Sequence, residues 1–334
     1  MTERLSIALA SRDGERFIGE QLNSFLSQTR LPDELVVGDD ASTDRTREIV
    51  RAFAKRAPFE VRLLENEKAL GCAGNIWRAI RECRGDIVFP SDHDDIWLPR
   101  KLARMAEAFA ACPEAALVIA DSELAAEDGR PLGRTLFQAA GKRPLPRRSA
   151  PGEGLMALLE RRPPLYGHGM AFKASAWREV PPFPLSGVVN NHHDTWIAYW
   201  IAAFHDIVVI DEPLTLYRTH PRQVGLFNSA GLGVRLLRAF APLPEAHRAD
   251  YALRVEVLRF LRERLRRRGY AASRVMAALE QAESFQRVRC EMPLLNRNRR
   301  LGSVLRKSVD GSYDRFAFGV LSAVQDVLRG RLPR

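Results

Sequence analysis

A chain of 334 residues, 46% apolar and 28% charged, has a globular composition and the length for a full-sized core; it is neither disordered nor fibrous. No apolar run approaches the ~20 residues of a membrane span, no secretory pattern marks MTERLSIALA, and Cys72, Cys83, Cys112 and Cys290 form no CxxC pair; a reduced cytoplasmic protein without a cysteine-based zinc site is expected. The net charge of +10 is concentrated: residues 225–334 hold 22 Lys and Arg against 10 Asp and Glu, whereas residues 1–224 hold 29 against 31.

Residues 5–10 are a short apolar run. Asp13-Gly14 follows, and Ile18, Leu22, Phe25 and Leu26 then recur at helical spacing, which predicts strand, turn and helix. A second strand, 34–38, ends in Asp39-Asp40, and Ser42, Thr43 and Asp44 offer cap chemistry to a helix with Ile49, Val50 and Phe53 inward. A third strand covers 61–64, and the helix after it carries Ile76, Ala79, Ile80 and Cys83. The fourth strand, 86–90, ends in Ser91-Asp92-His93-Asp94-Asp95; Pro99 suits the first turn of a helix with Leu102, Met105, Ala106 and Phe109 inward. A fifth strand, 115–120, ends at Asp121, and residues 122–152 read as a long loop. Then come a helix near 155–159, a strand at 170–173, a helix with Ile197, Trp200, Ile201 and Phe204 inward, a strand at 207–210 and a short extended run at 214–218. From about residue 225 the pattern is helical and basic.

This alternation, with strands apolar on both faces, predicts an α/β fold with a mostly parallel central sheet flanked by helices, plus a C-terminal helical region. Asp39, Asp40, Asp92, Asp94, Asp95 and Asp121 all follow predicted strand ends, the edge at which open α/β sheets bind ligands. Within Asp92-His93-Asp94-Asp95 the carboxylates repel one another. A hard divalent cation, Mg²⁺ or Mn²⁺, relieves that repulsion and bridges to a phosphate-bearing substrate. A solvated acidic turn is the plainer alternative for a D-x-D alone. His192-His193-Asp194 enters a helix, where Asp194 is either a cap or a general base. His220 becomes a ligand candidate if the fold carries it to the acidic rim. Leu70-Gly71-x-x-Gly74-Asn75 precedes a helix, and its glycines admit a phosphate or sugar closely, without the order of a P-loop or dinucleotide fingerprint.

LASRDGERFIGEQLNSFLSQT, VVGDDASTDRTREIV, ENEKALGCAGNIWRAI and GDIVFPSDHDDIWLPRKL, in this order, resemble the nucleotide-sugar half of family 2 glycosyltransferases of the GT-A fold. HHDTWIAYWIAAFHDIVVIDEPLTLYRTHPRQVG resembles the acceptor half, most closely in rhamnosyltransferase-like members. The resemblance implies a GT-A domain over 1–224, with 1–121 as the nucleotide-sugar half and 122–224 as the acceptor half, and a basic helical region over 225–334. It implies that Asp40 contacts the donor base, with Ala10, Ser11, Arg12, Gly71, Asn75, Asp92 and His93 lining the nucleotide-sugar pocket. Asp92 and Asp94 match the D-x-D; Asp94, Asp92 and His220 would hold the metal. Asp194 matches the proposed base, with His193 and Trp196 beside the acceptor. Arg12 departs from the family's usual aromatic residue, although a guanidinium also stacks. His93 stands where the nearest relatives carry Gln. The implied activity is metal-dependent, inverting transfer of a sugar, L-rhamnose first, from its nucleotide diphosphate to a hydroxyl of a glycan or lipid-linked acceptor in cell-surface polysaccharide synthesis.

In the basic third, Arg259, Arg262, Arg264, Arg266, Arg267 and Arg268 crowd a predicted helix with Leu258, Leu261 and Leu265, and residues 316–328 read as another amphipathic helix. One expectation is peripheral attachment to the anionic inner face of the cytoplasmic membrane. The alternative is packing on the catalytic domain or on a second copy in a homodimer. Nucleic acid is not an expected partner: a basic nucleic-acid-binding protein would leave the acidic rim unexplained. A non-catalytic sugar-nucleotide-binding relative stays open.

Overall fold

The doubly apolar runs become strands of one sheet, and the amphipathic segments between them become its covering helices. A computed structural model describes residues 3–140, 144–161, 165–182, 193–220, 245–269, 274–317 and 320–328. The strands are β1 (Leu5–Ser11), β2 (Glu34–Asp39), β3 (Glu60–Glu65), β4 (Ile87–Asp92), β5 (Ile96–Trp97), β6 (Ala115–Ala125), β7 (Pro131–Thr135), β8 (Arg148–Ser149), β9 (Met170–Lys173) and β10 (Asp206–Arg218). The first helices are α1 (Ile18–Leu26), α2 (Thr46–Ala54), α3 (Gly71–Glu82), α4 (Lys101–Ala111), α5 (Leu136–Ala140), α6 (Glu153–Arg161), α7 (Ala174–Trp177) and α8 (His193–Phe204). The basic third forms α9 (Glu245–Arg267), α10 (Arg274–Glu291), α11 (Arg297–Val309), α12 (Ser312–Phe316) and α13 (Val320–Leu328). Residues 318–319, inside the predicted last helix, lie outside the described residues.

The sheet order is β3-β2-β1-β4-β9-β6-β10-β5. β3, β2, β1 and β4 run parallel, as do β6 and β10, while β9 is antiparallel to both β4 and β6. The sheet is therefore mixed. Leu5, Ile7 and Leu9 point to one face, where they pack with Ile18, Leu22 and Phe25 of α1, Val50 and Phe53 of α2, and Leu102, Met105 and Phe109 of α4. Each such side chain contributes roughly 1.5–3 kcal/mol on full burial. α3 packs on β1 and β2. Among the described residues no helix is long and apolar enough to cross a membrane.

Two expectations are corrected. The predicted loop 122–152 contains a hairpin, because β6 runs on to Ala125 and pairs with β7 across a turn in which Gly129 takes φ 82°. Asp121 thus lies inside a strand, not at its end, and its Oδ1 accepts from Ser122 N–H (2.7 Å) and Phe137 N–H (3.1 Å). The two predicted runs 207–210 and 214–218 form one strand, with register shifts on either side of Pro213, which has no N–H for the ladder.

The chain divides into two units: Met1–Gly154 with Pro163–Leu185 and Asn190–Gly225, and Leu155–Arg162 with Ser186–Val189 and Leu226–Arg334. In the second unit Leu258, Leu261 and Leu265 of α9 are buried with Met276, Leu279 and Phe285 of α10. Arg289 meets both oxygens of Asp326, at 2.7 and 3.1 Å, and Tyr313 donates to the same carboxylate (2.9 Å). A buried charge is tolerated when paired in this way.

Candidate active site

Register aligns Ser11 with Asp39 and Ala10 with Asp92, so the chain leaves β1, β2 and β4 along one rim. The first two loops are clamped together. Asp13 N–H donates to Ser42 Oγ (3.0 Å), Gly14 N–H to Thr46 Oγ1 (2.8 Å) and Thr43 N–H to Asp13 Oδ1 (2.8 Å). These bonds hold Asp13 and Ala41 at φ 45° and 57°, a conformation that costs a residue with a Cβ about 1–3 kcal/mol.

Asp40 is buried and both its oxygens are engaged. Oδ1 accepts from Asn66 Nδ2 (2.9 Å) and Leu70 N–H (2.6 Å), and Oδ2 accepts from Gly71 N–H (2.9 Å). It thereby satisfies backbone donors at the start of α3, where a negative charge is favoured. Asp39 is the neighbour with a spare oxygen. Its Oδ1 accepts from Ser42 N–H (3.1 Å), but Oδ2 is buried without a hydrogen-bond partner among the described residues. Asn75 ties α3 to the strands, donating from Nδ2 to Gly38 O (2.8 Å) and Ser11 O (3.3 Å). A Cβ on Gly38 would lie 2.5 Å from Asn75 Oδ1. Gly38→Ala should therefore displace Asn75 and cost about 1–3 kcal/mol, read as a lower denaturant midpoint at unchanged slope.

The acidic turn lies across the rim. β5 pairs with β10 through Leu216 and Ile96, which brings the turn beside the end of β10. His220 Nε2 is 2.9 Å from Asp94 Oδ2. Burial by itself would raise the Asp94 pKa, but the His220 hydrogen bond and the charges of His93 and His220 outweigh it and hold Asp94 below the ordinary range. His93 faces the first loop: a Cβ on Gly14 would meet its Cδ2 at 2.6 Å and Ser11 Oγ at 2.9 Å. Arg12 is exposed, with Nε 3.8 Å from Asp13 Oδ2.

A second histidine completes the cluster. His168 Nδ1 lies 3.1 Å from Asp95 Oδ2 and 3.8 Å from Asp92 Oδ2, and its ring stacks with those of Tyr166 (5.5 Å) and Tyr217 (5.0 Å), which also stack on each other (5.2 Å). Burial pushes Asp95 up to about 7, against the opposing charge of His168. Beneath it, fully buried Lys101 donates from Nζ to Thr215 Oγ1 (2.6 Å) and to the His168 carbonyl; burial pushes Lys101 down to about 7, against the charges of Asp95 and Asp92. Sequence reading passed over His168 and Lys101. The only local mark was an isolated histidine between two glycines after an aromatic residue. Arg218 was also missed. It donates from Nε to Asp94 O (2.8 Å), from Nη1 to Glu127 O (2.6 Å) and from Nη2 to Glu20 Oε2 (2.5 Å).

This donor set fits a hard or borderline divalent cation. Asp92, Asp95 and His168 each offer one ligand atom, all within 4.8 Å of one another. Asp95 Oδ2 and His168 Nδ1, on residues 1% exposed, face each other at 3.1 Å without forming a hydrogen bond, the disposition of two ligand atoms aimed at one ion. Asp94 with His220 supplies a further carboxylate–imidazole pair at the same turn.

Asp194 opens α8, buried, with Oδ1 accepting from Thr195 N–H (2.6 Å). Burial and then the charges of Asp92, Asp194, Asp94 and Asp40 push the Cys72 thiol far above its ordinary value. His193 is buried, its Nε2 3.6 Å from where a Cβ on Gly167 would sit. Trp196 is buried too, its Nε1 donating to Pro181 O (2.9 Å). His192 and residues 221–224 lie outside the described residues.

Comparison with known proteins is consistent with this geometry. A family model described as Glycosyl transferase family 2 matches residues 6–163. A putative glycosyltransferase, EpsE of Bacillus subtilis, is 28% identical over 61% of this chain and 67% of its own length. A dTDP-rhamnosyl transferase, RfbG of Shigella flexneri, is 34% identical over 28% of this chain and 34% of its own. The chain spans about a third of the length of several curated relatives it matches. The crystal structure of TarS from S. aureus in complex with UDP superposes with a TM-score of 0.53 over 97% of this chain and 90% of that one, at 18% identity, a likeness of fold.

Proposed function

We propose that this chain, of which residues 6–163 match the family model described as Glycosyl transferase family 2, belongs to that family on the GT-A fold and transfers a sugar from a nucleotide diphosphate sugar to an acceptor hydroxyl with inversion. The observation that carries the proposal is the gathering of Asp92, Asp95 and His168, brought from two distant segments, within 4.8 Å of one another beside the Asp94–His220 pair.

The donor lies along the rim at Ala10, Ser11 and Asn75, with Gly71 allowing close approach. Asp40 acts on the base pocket by fixing the backbone of Leu70 and Gly71. Exposed Arg12 is free to lie on the base, and His93 closes the side beside Gly14. Asp94 and Asp92, with His220 or with the Asp95–His168 pair, would hold a divalent cation, Mg²⁺ or Mn²⁺, which would supply positive charge to the diphosphate. The acceptor hydroxyl attacks the anomeric carbon as Asp194 takes its proton, the bond from that carbon to the diphosphate oxygen breaks, and the nucleotide leaves with the electron pair. General-base help of this kind contributes roughly 10²–10⁴-fold. His193, beside Asp194, orients the acceptor, a glycan or lipid-linked sugar. Trp196, held in the core through Pro181, shapes that side from behind. The donor proposed first is dTDP-L-rhamnose, supported by the likeness to the Shigella dTDP-rhamnosyl transferase.

Calorimetric titration with nucleotide diphosphates, with and without Mn²⁺, tests the site. Metal-supported binding is expected, weakened about 10-fold or more by Asp94→Ala. Unchanged binding by that variant would remove Asp94 from the metal site. Binding without turnover of any nucleotide sugar would favour a non-catalytic relative.

A further inference from the structure

The second unit carries an apolar stripe on its outside. Leu301, Leu305 and Val309 recur at i, i+4, i+8 on α11 and are 45%, 56% and 89% exposed; Leu294, just before the helix, is exposed as well. The other face of α11 is already used: Arg300, Ser303 and Val304 are buried, and Arg300 donates to Leu295 O (3.0 Å) and Val327 O (3.3 Å). At 100° per residue, exposed Arg306 and Arg299 fall along one flank of the stripe. An apolar stripe edged with arginine, in a segment with an excess of positive charge, matches the boundary between acyl chains and anionic headgroups.

Among the α9 arginines that the sequence offered to a membrane surface, Arg259, Arg262 and Arg267 form ion pairs with carboxylates. Arg262 pairs with Glu280 (3.4 Å) and Glu283 (3.2 Å), Arg259 with Glu283 (3.6 Å) and Arg267 with Glu263 (2.6 Å), while Leu258, Leu261 and Leu265 turn inward. We propose that α11, through Leu301, Leu305 and Val309 with Arg299 and Arg306, docks the protein on an anionic lipid surface. The docking is independent of the transfer chemistry and is tested without it.

The full chain is sedimented with vesicles of phosphatidylcholine alone and of phosphatidylcholine with phosphatidylglycerol, at low and high salt. Pelleting with the anionic vesicles, weakened by salt, is expected. Leu305→Glu, at an exposed position, should weaken it about 10-fold or more. The double variant Arg299→Glu, Arg306→Glu should abolish the preference for phosphatidylglycerol, and reads the same surface should Leu305→Glu not fold. Failure of the wild-type chain to pellet with anionic vesicles overturns the proposal, as does wild-type binding by both variants. A concentration-dependent dimer in light scattering that Leu305→Glu dissociates, with no pelleting, assigns the stripe to a second copy instead.

Discussion

Asp194→Asn is expected to lower sugar transfer roughly 10²–10⁴-fold while leaving nucleotide binding and thermal stability close to wild type. The amide keeps an oxygen where Asp194 Oδ1 accepts the Thr195 N–H, so that bond at the start of α8 is retained. What it loses is the ability to take a proton. Nucleotide release with acceptor present reads the rate, and calorimetry reads donor binding. A second readout is independent of catalysis: the Asp194 charge helps raise the Cys72 thiol, so the substitution should lower that thiol's pKa and speed its alkylation at fixed pH. Burial remains the leading cause, so Cys72 stays less reactive than a free cysteine. Near-normal transfer by Asp194→Asn would take Asp194 out of the base role even if the alkylation change appears.

Arg218→Ala is expected to cost about 2–4 kcal/mol of stability, read from the denaturant midpoint, and to weaken metal-supported nucleotide binding with it. The guanidinium is buried and donates in three directions, to the carbonyls of Asp94 and Glu127 and to Glu20, and it lies over the Phe17 ring at 4.9 Å. Glu20 is 55% exposed, so that ion pair contributes little by itself. Most of the loss comes from two carbonyls without their charged donor and from the emptied volume, each about 1–3 kcal/mol. Arg218→Lys should recover only part of it, because one ammonium cannot span acceptors that a planar fork reaches separately. An unchanged midpoint for Arg218→Ala would show that the turn carrying Asp94 and Asp95 is held without it.

The core elements were legible because their information is local. Ile18, Leu22 and Phe25 face one way on any helix, and the unbroken run Leu5–Ser11 suits a strand covered on both faces. The carboxylates at the ends of β2 and β4 were legible for the same reason. The hairpin in 122–152 was not: Pro131–Thr135 is exposed and has no periodicity, and it is a strand through pairing with β6. His168 and Arg218 were illegible as well. Their roles come from Asp95, 73 positions before His168, and from Asp94, 124 positions before Arg218.

Periodicity and residue chemistry alone determined a layered α/β domain with acids at its strand ends, because side-chain direction on a helix or strand follows from backbone geometry that every segment carries with it. Only the tertiary structure decided how those acids are divided. Asp40 is spent on the start of α3, Asp39 keeps an oxygen unbound, and Asp94 and Asp95 take different histidines. Hydrogen bonds and charges act over a few ångströms of space whatever the distance along the chain, so their partners exist only once β9 and β10 have been brought beside β4 and β5.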